Sequence, residues 1–295
     1  MLAAAVAASA ALTLAPAALA DPAPFTDVEL NQPADQSVAL EARFNLSNDA
    51  EVGMRELRAI RARMWDENPR YVVGNTTGSL RDVAAAAGLN SKEAYVNAIV
   101  LDQGYSRISL QRAVEAAKLF KHERQYNDTC AGNCGMPFTA TINGRGGSGE
   151  NLSSSSDIAA AMKGWGESEV RALRATNGEF SAERATMNGH LHSFLNPWNT
   201  RVGFASVVTA EGTASASVMG RQATGVTSFP EGNRKEALAR PAAKGETPSA
   251  TPKKLSVLKS GGSSLEEIQA IAGIITAVVS LITVLATVGH QMGLL

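Results

Sequence analysis

The residue types best suited to chemistry in this chain fall between positions 119 and 205. His122 follows Leu119-Phe120-Lys121. Glu150 lies in Gly149-Glu150-Asn151-Leu152. Glu167 and Glu169 follow Trp165. His190 stands in Asn188-Gly189-His190-Leu191, just ahead of Leu195-Asn196-Pro197. Imidazole and carboxylate together suit a borderline divalent ion such as zinc. The imidazoles donate nitrogen, and the carboxylates ligate or orient a bound water. A metal so held lowers the pKa of that water, which opens a route to hydrolysis. Groups this far apart in sequence meet only on a folded scaffold. His192 adds a His-x-His pair with His190; in an extended segment both rings would point the same way and leave His122 redundant. The chain contains no Gly-x-Ser-x-Gly, no His-Glu-x-x-His and no phosphate loop.

The elements that must position these groups follow from apolar spacing and capping residues. Val52, Leu57, Ile60 and Met64 predict a helix over 50–68, with Asp49 as N-cap and Pro69 beyond its end. Ser79 with Asp82, and Gly88 behind them, predict a helix over 79–88. Ser91 caps a helix over 92–101. Leu110, Ala113, Val114, Ala117 and Phe120 predict a helix over 109–123 with one buried stripe. His122 lies off that stripe at the helix end, where by itself it reads as a surface capping histidine.

Residues 137–142 read as a short strand, and 143–149 as a glycine-rich loop into Glu150. Asp157 caps a helix over 158–174. On that helix Glu169, four residues after Trp165, shares its face, whereas Glu167 points elsewhere onto a solvated side. Residues 176–188 form a polar loop. Residues 200–209 are apolar or small on both faces and read as a central strand, turning at Glu211-Gly212 into a half-buried partner over 213–219.

The order of these clusters resembles the CAP superfamily, that of cysteine-rich secretory proteins, antigen 5 and plant pathogenesis-related proteins, and more narrowly its bacterial secreted branch. The resemblance covers roughly residues 50–220, and Gly149-Glu150-Asn151-Leu152 is its most specific part. It implies a tetrad around one cleft, here His122, Glu150, Glu167 or Glu169, and His190. His122 and His190 would hold zinc or another divalent ion, with Glu150 and Glu169 as ligands or in support. The family places its carboxylate three residues after the Trp, where this chain has Ser168, so Glu169 takes the role on register. The expected fold is a three-layer α/β/α sandwich with a small antiparallel sheet, occupying 49–221. The family fold does not imply a shared enzymatic activity.

Compartment and tails complete the expectations. Residues 1–20 are apolar, lack a basic n-region and end Ala18-Leu19-Ala20, like a secretory signal peptide. A polar leader follows over 21–48. Export permits a disulfide between Cys130 and Cys134. Residues 222–264 read as a disordered linker, and 265–295 as a hydrophobic membrane-associating helix that self-associates through small residues. The expected location is the cell envelope or the medium, and the partners a small ligand, a lipid or an envelope protein. Net charge -1 and pI about 6.5 do not suggest a nucleic-acid partner, which would want a basic face, and none is expected. Three functions fit this sequence: a non-catalytic binding domain, a metal-dependent hydrolase of envelope or extracellular polymer, and a structural envelope protein with a vestigial cleft.

Overall fold

The structure is a computed structural model, and it describes residues 26–126 and 135–255. Its fold is mixed α/β, built on one open sheet of seven strands. In chain order, β1 (Ser37–Phe44) leads into the long helix α1 (Leu46–Glu67). The hairpin β2 (Arg70–Val73) and β3 (Thr76–Ser79) then precedes α2 (Leu80–Ala86) and α3 (Lys92–Asn97). After β4 (Val100–Leu101) comes α4 (Gln103–Lys118). A small hairpin, β5 (Thr141–Ile142) with β6 (Arg145–Gly146), precedes β7 (Gly149–Ser153). Helices α5 (Ile158–Gly166), α6 (Val170–Ala175) and α7 (Gly189–Leu195) follow. The described fold ends with β8 (Arg201–Thr209), β9 (Gly212–Gly220), β10 (Arg234–Pro241) and β11 (Ser249–Lys253).

The main sheet runs β10-β1-β8-β9-β7, with β11 on β1 and β4 on β8. Its long pairings are antiparallel, while β11 and β4 add in parallel. The β8–β9 hairpin is paired from Arg201↔Gly220 to Thr209↔Gly212, as expected from its alternation, and β8 is central. Helices cover both faces of β8. Val202 and Phe204 join the core formed with α1, α5 and α7, while Ala205 and Val207 join the core formed with α4. That alternation is the period of two that a strand buried on both faces must show.

The sheet is larger than the small one expected, because both flanks of the 49–221 span contribute to it. The leader contains β1, whose Val38, Leu40, Ala42 and Phe44 are buried in strict alternation. The segment expected to be a disordered linker, 222–264, supplies β10 and β11 within its described part. Strand β10 pairs with all eight residues of β1. Arg240, buried, bonds Glu211 and Glu246, and Lys253 bonds the same two carboxylates. Charged edge strands can thus be held by ion pairs where apolar pattern is lacking.

Local signals fared well at caps. Ser79 and Asp82 form the capping box expected for α2, and Ser91 and Asp157 cap α3 and α5. Two helices begin earlier than their apolar stripes suggest. Asn45, not Asp49, caps α1, and Asp102 caps α4 through the amides of Gly104 and Tyr105.

Asp49 instead turns inward, accepting bonds from Ser206 N at 2.6 Å and Ser206 Oγ at 2.8 Å. Burial pushes its carboxyl up to about 6, against the two Ser206 donors that favour the charged form. Between the ordinary value of 3.8 and about 6, the folded state therefore binds more protons than the unfolded state. Stability from this group is full below that window and falls as pH rises through it, by up to ~3 kcal/mol. Asp49→Asn keeps an oxygen for Ser206 and removes the charge. Denaturant unfolding at pH 4 and pH 7 is expected to show the variant gaining on the wild type by ~2–3 kcal/mol between the two. A difference that does not change with pH would refute the assignment.

Among the described residues no helix is long and apolar enough to cross a membrane. No cysteine, free or paired, is among them. The expectations of an anchoring, self-associating helix, of a disulfide and of an envelope location are corrected accordingly. The segments that prompted them, 1–20, Cys130 with Cys134, and 265–295, lie outside the described residues.

Candidate functional site

Glu150 sits in β7 at the sheet edge, opposite Val218 of β9. Its carboxylate is nearly buried and is claimed from two sides. Arg112 Nε reaches Oε2 at 2.5 Å, and His122 Nδ1 reaches Oε1 at 2.8 Å. Arg112 comes from the middle of α4 and is fully buried. It also pairs with Glu115, and its Nη2 donates to the carbonyls of His122 at 2.7 Å and Lys121 at 3.2 Å. Arg124 closes the network on Glu115, with Nη2 to Oε1 at 2.8 Å. Two guanidinium groups thus face two carboxylates, and the buried charges balance. Burial disfavours the Glu115 anion, but Arg124 and Arg112 beside it outweigh that and hold its carboxyl down at about 2. Burial likewise opposes the Arg112 cation, and Glu115 and Glu150 overcome it.

This network explains why His122 is not on a helix. Helix α4 stops at Lys118, and Leu119 has extended backbone at φ -142 and ψ 105. The carbonyls of Lys121 and His122 turn inward to Arg112 instead of extending the helical ladder. Phe120, expected in the buried stripe, is exposed as a result. The His122 ring stands mostly in solvent, pinned by Glu150.

Glu169 and His190 form the second pair. The helix expected over 158–174 breaks after Gly166, and Glu169 lies in the turn before α6. From there Oε2 accepts the Leu191 amide at 2.9 Å and Oε1 meets His190 Nδ1 at 2.5 Å. Asn188, the N-cap of α7, makes no side-chain capping bond, so Glu169 supplies the anion that this helix end favours. Glu167 is exposed. Asn151 anchors the other side, donating to the His190 carbonyl at 3.2 Å.

His122, Glu150 and His190 line one half-open cavity of about 770 Å³. His190 and Glu169 line a second, of about 670 Å³, so the His190 ring stands at the wall between them. His192 does not join either set. Because 189–195 is helical rather than extended, its ring points away and is buried against Tyr71, with Nε2 2.6 Å from the Val72 carbonyl. Burial lowers its pKa, a structural neutral imidazole.

Compared with known proteins, the chain matches no family model, no curated protein and no solved structure.

The site offers two separate histidine–carboxylate pairs. Each imidazole is oriented through Nδ1 by a carboxylate, and neither Nε2 has a hydrogen bond among the described residues. That is the arrangement in which supporting carboxylates orient ligating histidines. Among the described residues no group of three His, Cys, Asp or Glu is placed to hold a metal ion. Sequence reasoning found the two histidines and both glutamates but missed Arg112 and Glu115. A fully buried arginine within an apolar helix stripe carries no signal of its partners, which come from three separate segments.

Proposed function

We propose that this is a binding domain of CAP type, a three-layer α/β/α sandwich whose ligand docks in the cleft between His122, Glu150 and His190. A divalent ion such as zinc is held weakly there by the two imidazoles. Helices on both faces of β8 and the order of the four site residues support the fold reading. The observation that carries the function is the matched pair of carboxylate-oriented imidazoles on one cavity. Binding is put ahead of metal-dependent hydrolysis because, among the described residues, no third ligand stands with the two imidazoles to hold a catalytic ion. Both carboxylates are committed, Glu150 to Arg112 and His122, and Glu169 to His190 and the Leu191 amide.

Calorimetry of the full-length protein with zinc tests this reading. Wild type is expected to bind one ion, and His122→Ala and His190→Ala each to weaken it tenfold or more. Proton and metal compete for the same imidazole lone pair, so affinity should fall on acidification. Equal binding by wild type and both variants would dispose of the metal site.

A further inference from the structure

Six large apolar side chains are exposed among the described residues, each between 39% and 61%. Four of them, Phe120, Phe138, Phe180 and Met187, line the two cavities that meet at His190. The other two, Leu119 and Met136, neighbour Phe120 and Pro137 in the chain. Apolar surface gathered in one place marks a site that something covers.

Three features of the walls define what covers it. Phe138, Phe180 and Met187 have no polar handle, so they suit an apolar group. Gly144, Gly146, Gly147 and Gly149 line the same cavity. Having no side chains, they present bare backbone there. A Cβ on Gly147 would lie 2.4 Å from Val218, and one on Gly146 would lie 2.2 Å from the Phe138 carbonyl. This wall continues into β7, an end strand of the main sheet order that pairs with β9. An exposed backbone wall beside a terminal strand is a surface on which another main chain can lie extended. Finally, Arg171 and Arg184 line the second cavity, and neither forms an ion pair among the described residues. The carboxylate lining that cavity, Glu169, is already bonded to His190 and Leu191.

We infer that the cleft takes an extended peptide segment of a partner protein. It seats a large apolar side chain among Phe138, Phe180 and Met187, runs its main chain along the glycine wall, and places an acidic side chain beside Arg171 and Arg184. The inference rests on the proposal that this cleft is the binding site, and it adds the class of ligand. Met187 and His190, which line both cavities, are the passage between the two side-chain subsites. The exposed backbone wall favours a peptide over a long-chain acid, which has no main chain to lay along it.

The test begins by selecting displayed heptapeptides on immobilised full-length protein. An enriched sequence is then made as a labelled synthetic peptide and followed by fluorescence anisotropy. Enriched sequences should share an apolar residue with an acidic one a few positions away. Phe138→Asp and Arg184→Glu, both at exposed positions, should each weaken the peptide tenfold or more. Changing the peptide's acid to lysine should restore binding to Arg184→Glu. The inference is overturned if no sequence is enriched, if the variants bind the peptide as well as wild type, or if sodium laurate binds at these residues while peptides do not. Zinc calorimetry on the same variants separates the two proposals. Zinc bound without any enriched peptide sinks the peptide alone, and a peptide bound without zinc sinks the metal alone.

Discussion

Arg112→Met is expected to destabilise the protein by about 3–5 kcal/mol, the cost of leaving buried charge without its partner. The substitution leaves Glu150 with only the exposed His122 ring, and Glu115 with Arg124 and Gln111. It also frees the carbonyls of Lys121 and His122, which Arg112 Nη2 holds. The His122 segment should loosen with it, so zinc affinity should fall along with stability. Arg112→Lys should recover little, because one ammonium cannot reach two carboxylates and two carbonyls at once. Equilibrium denaturation with urea measures the effect. A loss under about 1 kcal/mol would mean that Arg112 is not the keystone of the Glu150 side of the site.

Gly203→Ala is expected to cost ~3 kcal/mol or more, as an overpacked contact that cannot relax. Gly203 lies in β8 under the first turn of α4. A Cβ there would stand 2.0 Å from both Ser106 N and Tyr105 C, which are backbone atoms. The first turn of α4 would have to lift from the central strand, and Arg112 rides on that helix. Thermal unfolding should show a fall in Tm of roughly 6–12 °C for a domain of this size. Gly164→Ala is the control. It lies in α5 with nothing within 4 Å of its Cβ position, so it should be neutral or slightly stabilising. Equal Tm values for the two variants would contradict the close approach of α4 to β8.

These two residues also show where a sequence is legible. The caps at Ser79, Ser91 and Asp157 could be read because a short polar side chain and the helix amides it serves are sequence neighbours. The β8–β9 hairpin could be read because its pattern and turn are local. Strand β1 carried the same kind of alternation in Val38, Leu40, Ala42 and Phe44, but was hidden by the polar stretch before it. Strand β10 carried none, since Arg234-Lys235-Glu236 and Arg240 are an edge strand's charges, and the partners of Lys235 and Arg240 lie elsewhere in the chain. At the site, the histidines and glutamates stood out by type. Their supports did not: Arg112 and Gly203 act through contacts that exist only once α4 lies on the sheet. The choice of Glu169 over Glu167 rested on one continuous helix. Glu169 does meet His190, but through a turn and a borrowed helix cap.

The central claim is that His122 and His190 act as one pair on a shared cleft. Zinc titration of the full-length protein, followed by NMR of the imidazole nitrogens, tests it most directly. The Nε2 resonances of His122 and His190 should move together with a single zinc dependence. His192 should stay still, because its Nε2 is bonded to the Val72 carbonyl. If one of the pair moves without the other, or the two follow different zinc concentrations, the histidines are separate surface sites and the shared cleft is wrong.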